Sequence, residues 1–312
     1  MPSGHKGSIH LFRFSGIDVF LHWSWFLVAV WEINRQKGMY SSILWNVLEY
    51  LALFLIVTMH EFGHALACRQ VGGTADHIIL WPLGGIAYVN PPQRPGATLW
   101  SIAAGPLVNV VLLLAMEAVG IDATPTTLHP AGLWPAYPNL DQLVGTIAAI
   151  NFGLLIFNII PIYPLDGGQI LRSLLWFVMG RARSLMTAAV IGILGSIGFI
   201  FLAIRAEDIW LGAIAVFVLL NSWSGLQQAR ALTQFAKLPR RENFACPVCK
   251  MSPPMGEYWR CSKCGQPFDT FQTAGVCPHC GSRLDQTRCL DCGNVRPMQE
   301  WSVPVIAGTQ RS

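Results

Sequence analysis

The sequence predicts an α-helical polytopic membrane protein of about six transmembrane helices, with a small membrane-associated β-hairpin region and a separate small metal-binding domain behind it. Three observations carry this prediction. The 312 residues are 53% hydrophobic and only 12% charged, about half the charge of a soluble domain. Six long apolar segments follow one another through the first three quarters of the chain. Eight of the nine cysteines then fall between Cys246 and Cys292 as four C-x-x-C pairs. The formal net charge of +4 is too small to point to nucleic acid.

Residues 1–16 are polar and mildly basic, and no small-residue cleavage site follows the first apolar run. That run is therefore expected to be retained as a span rather than removed. The apolar segments cover roughly 18–33, 44–68, 98–120, 142–161, 185–204 and 208–226, each near the ~20 residues that cross a bilayer as a helix. The fourth runs into Pro161 and Pro164 and is expected to unwind there. The fifth carries Gly192, Gly195, Ser196 and Gly198, small residues that let helix backbones approach closely.

With six spans, Lys6, Arg13, Arg69, Arg94, Arg172, Arg181, Arg183, Arg230, Lys237, Arg240 and Arg241 fall on one side. The other side holds Arg35, Lys37 and Arg205, and the 121–141 loop has no Lys or Arg. The positive-inside rule then predicts a multi-pass cell-membrane protein with both termini cytoplasmic. Between the second and third segments, residues 71–90 read as short strands around glycine turns. Strands beside a membrane must be paired or covered, and a hairpin tucked against the helices satisfies this. Residues 229–245 are polar and basic and read as a linker, which gives a membrane domain over 1–228, a cysteine domain over 246–296 and a tail over 297–312.

Within the second segment, His60-Glu61-Phe62-Gly63-His64 is an H-E-x-x-H motif. The i, i+4 spacing puts both imidazoles on one helical face, where they can share a metal ion. Glu61 can reach a water on that metal and act as general base. The alternative is a polar helix-packing cluster, but a Glu and two His in a membrane helix are costly unless used or paired. A catalytic zinc needs a third protein ligand. Asp166, the one acid between Asp141 and Glu207, stands where Pro161, Pro164, Gly167 and Gly168 break the fourth segment. A broken helix at membrane depth suits a cavity-lining ligand; the alternative is a helix-capping Asp.

These motifs resemble the site-2 protease family, the intramembrane metalloproteases of the M50 type. The carriers are His60–His64, the Asn158…Pro161…Pro164-Leu-Asp166-Gly167 stretch, Gly105-Pro-Leu-Val-Asn109, Pro82-Leu-Gly-Gly85 and His22-Trp-Ser-Trp25. The resemblance covers most of residues 10–225. It implies a catalytic zinc on His60, His64 and Asp166, with Glu61 as base, and hydrolysis of single-span membrane substrates near the cytoplasmic side. It also implies that Asn158 contacts substrate or stabilises the oxyanion, and that Asn109 lies on the substrate side. Residues around Gly84, Gly85 and Val89 are expected to hold an unwound substrate by strand addition. Prolines along that edge would then impair cleavage without releasing zinc.

The four C-x-x-C pairs have metal-ligand spacing and look like a double zinc ribbon. Read in chain order, Cys246, Cys249, Cys261 and Cys264 hold one structural zinc, and Cys277, Cys280, Cys289 and Cys292 hold a second. Gly265, Gly281 and Gly293 follow three of the pairs and allow tight turns. Thiolate zinc sites suit a reducing cytosol. Six Lys or Arg against four Asp or Glu between 246 and 296 favour a protein partner, as yet unknown, over nucleic acid. His279 reads as a surface residue and Cys68 as a small buried one. Two other readings compete: a catalytically silent scaffold that recruits partners through its ribbons, and a zinc transporter. The intact motif opposes the first, and the clustering of polar residues at one site opposes the second.

Overall fold

The structure, a computed structural model, describes residues 7–35, 38–81, 84–121, 134 and 136–302. Lys6, Lys37, Pro82, Leu83, most of the 121–141 loop and the last ten residues of the tail lie outside the described residues. The chain forms two compact units, Met1–Arg230 and Ala231–Ser312.

The first unit opens with strands β1 (Ser8–Phe14) and β2 (Ile17–His22), then helices α1 (Ser24–Arg35) and α2 (Ile43–Gln70). Strands β3 (Thr74–Trp81) and β4 (Gly84–Asn90) come next, as the sequence predicts for this hairpin. Helices α3 (Pro95–Ala118), α4 (Pro138–Ile159), α5 (Asp166–Met179), α6 (Arg181–Ala206) and α7 (Ile209–Ala236) complete it. Among the described residues, α2, α3, α4, α6 and α7 are long and apolar enough to cross a membrane.

The first expected span is a different object. Its front half is β2, and its back half is α1, only 12 residues and so about 18 Å long, against about 30 Å of hydrocarbon. An apolar strand followed by an apolar helix gives the same hydropathy as one spanning helix. The strand shows itself by alternation: Ile17 and Val19 are buried with Val57, Ala65, Ile78 and Leu80. Among the described residues, five helices and not six are therefore long and apolar enough to cross. β2 pairs in parallel with β3 in one sheet ordered β1-β2-β3-β4. The chain that leaves the sheet through α1 therefore returns to it through α2. Trp25, at the start of α1, packs edge-on against Tyr50 and Phe54 of α2 and accepts a hydrogen bond from the Tyr50 hydroxyl at 2.7 Å.

α5 was not among the expected segments. Its 14 residues come directly after the break at 160–165 and start on Asp166 itself. The break is held from three sides. Leu165 N–H donates to Ile162 O at 2.9 Å, and the Gln169 amide to Pro164 O at 3.0 Å. From α7, the Ser222 hydroxyl donates to Tyr163 O at 2.7 Å. Gly192 and Gly195 of α6 make room: a Cβ at Gly192 would lie 2.5 Å from Tyr163 O, and one at Gly195 would lie 2.5 Å from the Ile162 side chain. These small residues admit a loop, not only a helix.

The second unit holds two short hairpins, β5–β6 (Trp259–Arg260 with Pro267–Phe268) and β7–β8 (Gln286–Arg288 with Val295–Pro297), and a 3-10 turn at Met298–Trp301. Residues 229–245 are not a free linker. α7 continues to Ala236, and Arg240 and Arg241 beyond it have partners inside the unit. Arg240 makes a two-pronged ion pair with Asp291 at 2.7 and 3.0 Å, and Arg241 pairs with Asp269.

Candidate active site and metal centres

Two helices bring the site together, and a third encloses it. α2 supplies His60 and His64 one turn apart, and the N-terminus of α5 supplies Asp166. His60 Nε2 lies 3.0 Å from Asp166 Oδ2 and 3.1 Å from His64 Nε2, and His64 Nε2 lies 3.3 Å from Asp166 Oδ2. In a tetrahedral zinc site with bonds near 2.0–2.1 Å, ligand atoms sit about 3.3 Å apart. The three donors are thus spaced as the edges of such a site, with one corner left over. His60, Glu61 and His64 are each 6% exposed.

The enclosing helix is α3, and its cradle is cut to these rings by missing side chains. A Cβ at Gly105 of α3 would collide with the His64 imidazole and lie 2.8 Å from His60 Nε2. One at Gly63 would lie 2.6 Å from Ala104 O, so α2 and α3 touch at backbone distance. The outer nitrogens are tied to protein. His64 Nδ1 lies 2.9 Å from Ser101 O. A carbonyl only accepts, so Nδ1 carries the proton and Nε2 turns its lone pair inward. His60 Nδ1 lies 2.6 Å from Asn109 Oδ1.

Asn109 was expected on the substrate side; the structure shows it facing His60 instead. It is fully buried and spends its side chain on His60 and on Asn151, 2.6 Å away. Asn151 was missed in the sequence. The available signal was an amide two helical turns before Asn158 in an otherwise apolar segment. Asn158 itself is half-buried, on the last turn of α4. Gly84 and Gly85 lie on β4, paired to Trp81 and Leu80 of β3; β4 is an edge strand of the sheet.

The eight tail cysteines cluster in two fours whose ligand atoms all lie within 4.8 Å of one another. The grouping differs from the chain-order expectation. Cys246 and Cys249 meet Cys289 and Cys292, while Cys261 and Cys264 meet Cys277 and Cys280. The sites are nested, one inside the other. Sulfurs across each site lie 3.7 Å apart, close to the edge of about 3.8 Å that four Zn–S bonds of 2.3 Å define. The cause is the packing around the outer four. Phe244, Trp259, Phe271 and Trp301 form one aromatic cluster with Cys246 and Cys289, and Ala245 N–H donates to Trp301 O at 2.9 Å. This brings the two ends of the unit together. Each pair closes on the same turn: the N–H after the second Cys donates to the carbonyl of the first at 2.9 Å. Gly265, Gly281 and Gly293 take this turn at φ of 74°, 70° and 77°, and Lys250 takes it at 63°.

Asp269 braces the unit. It accepts from the N–H groups of Gly256, Phe271 and Gln272 as well as from Arg241. Burial pushes its carboxyl up, but these donors outweigh that and hold it below the usual carboxylate range.

Comparison with known proteins places this geometry in context. The model of Peptidase family M50 matches residues 49–129 and 134–204. A zinc metalloprotease of Methanocaldococcus jannaschii is 33% identical over 215 residues, 68% of this chain and 58% of that protein. A Synechocystis sp. relative is 28% identical, over 70% of this chain and 60% of its own length. This chain thus spans about 60% of the length of these curated relatives. The solved structure of a site-2 protease from Methanocaldococcus jannaschii superposes with a TM-score of 0.50 at 30% identity, covering 70% of this chain and 95% of that one.

Proposed function

Because this chain belongs to the M50, or site-2 protease, family, we propose that it is an intramembrane zinc metalloprotease that hydrolyses peptide bonds of single-span membrane proteins near the cytoplasmic side. The observation that best supports this is the donor triangle of His60, His64 and Asp166, with Glu61 buried beside it, set among helices apolar enough to cross a bilayer. These three residues would hold a zinc ion, which would supply Lewis acidity to the reaction. Glu61 would act as general base toward the attacking water and pass the proton on to the leaving amine. Asn158, at the end of α4, offers an amide to the developing oxyanion. The place of β4 at the end of the sheet, with Gly84 and Gly85 at its start, supports the docking of an unwound substrate as an added strand.

Two further zincs in the nested cysteine sites bring the total to about three per chain. They are structural, because each has four thiolates and no open position. The ribbons recruit a protein partner rather than nucleic acid, and both termini lie in the cytoplasm. The test is cleavage of a single-span substrate by the purified full chain. Glu61→Gln should abolish cleavage while zinc stays bound. Cleavage at the wild-type rate by that variant refutes the mechanism. A wild-type chain that binds zinc yet cleaves no substrate favours the scaffold reading.

A further inference from the structure

We propose that Asn151 is a positioning residue that fixes the tautomer of His60, acting through Asn109, so that a lone pair and not an N–H faces the metal. The proposal rests on the reading of His60 as a zinc ligand. A neutral imidazole has one donor and one acceptor nitrogen, and only the acceptor can bind metal. His64 has its polarity set directly by the Ser101 carbonyl. His60 faces a side-chain amide, whose O and N exchange places on a flip, so its polarity must come from a partner that cannot flip.

That partner is the main-chain carbonyl of Asn109. Asn151 Nδ2 lies 3.0 Å from it, and a carbonyl only accepts, so the Asn151 amide has one allowed orientation. Its Oδ1 then faces Asn109 at 2.6 Å and must receive a proton from Nδ2. Asn109 Oδ1 is thereby turned to His60, 2.6 Å from Nδ1. Nδ1 must donate, and Nε2 keeps its lone pair toward His64 and Asp166. Each link depends on the one before it. Asn109 is 0% and Asn151 1% exposed, so no water replaces a broken link. Without Asn151, the Asn109 amide is free to flip and present Nδ2 to His60. That favours the tautomer whose Nε2–H excludes the metal.

The test is zinc competition against a chelator on the full chain in detergent. A His60→Ala/His64→Ala chain marks the zinc held by the ribbons alone. Asn151→Leu, with the same number and branching of side-chain heavy atoms but apolar, should weaken the extra zinc by about 10–100-fold, the usual effect of losing a partner that orients a ligand. Asn109→Asp in the Asn151→Leu background should restore binding, because a carboxylate offers His60 no N–H in either orientation. Should Asn151→Leu fail to fold, Asn151→Thr reads the same way, since its hydroxyl can donate or accept and sets no polarity.

Wild-type affinity in the Asn151 variant overturns the proposal. So does weakened binding that Asn109→Asp does not restore, which would mean that Asn151 only packs the helices. If wild type holds no more zinc than the His60→Ala/His64→Ala chain, the reading of the site itself fails, whatever Asn151 does.

Discussion

Gly105→Ala is the smallest change that tests the geometry of the site. Gly105 lies on α3, where its missing side chain leaves the space filled by both imidazoles. An added Cβ would overlap the His64 ring and stand 2.8 Å from His60 Nε2, 0.6 Å inside the 3.4 Å at which ordinary contact begins. Neither ring can swing away without loosening its hold on Ser101 or Asn109. The backbone of α3 cannot retreat easily either, because Gly63 already touches it at Ala104. Overpacking of this kind costs about 1–3 kcal/mol, more than the ~1 kcal/mol of helix propensity that Ala gains over Gly. The functional loss should be larger than the stability loss. A shift approaching 1 Å in a catalytic constellation costs about 100-fold in rate. The assay is zinc content, counted above that of a His60→Ala/His64→Ala chain, together with cleavage of a single-span substrate. Gly153→Ala is the control: it is also a glycine of an apolar helix, and its Cβ would meet nothing within 4 Å. It should behave as wild type. A Gly105→Ala chain with full zinc and wild-type cleavage would refute the cradle.

Two other experiments test the remaining parts of the structure. Cys264→Ser with Cys280→Ser should lower zinc by one ion per chain in elemental analysis, because both cysteines belong to the inner site; a loss of two would restore the chain-order grouping. Gly192→Ala should slow cleavage by about tenfold or more, because its Cβ would lie 2.5 Å from Tyr163 O in the loop that leads to Asp166, whereas Gly198→Ala, in open space on the same helix, should leave the rate unchanged.

Features set by local period were legible in the sequence. His60 and His64 are one helical turn apart, so their shared face needs no tertiary knowledge. Asp166 was legible from the prolines and glycines around it, which announce a broken helix without saying what holds the break. The first span failed because a hydropathy window sums over a strand and a helix alike. The alternation of Ile17 and Val19 was the only hint, and two residues are too few to decide a period. The linker failed because Arg240 and Arg241 read as solvated charge until Asp291 and Asp269 are seen opposite them.

The cysteine grouping shows where local reading must stop. Each C-x-x-C pair closes its own turn with the same 2.9 Å hydrogen bond, so every pair is locally complete and none encodes its mate. Three groupings of four pairs are equally compatible with that spacing. The choice is made by Phe244, Trp259, Phe271 and Trp301, which gather the ends of the unit and carry the first pair to the last. The same logic holds at the active site. The ligands His60, His64 and Asp166 announce themselves by residue type, but the group that fixes the polarity of His60 is an amide 91 positions away in sequence, joined to it only by packing of α2, α3 and α4. The ligand set is thus a property of the sequence, and its orientation is a property of the fold. Substitutions at Gly105 or Asn151 are therefore expected to disturb metal binding while leaving every ligand in place.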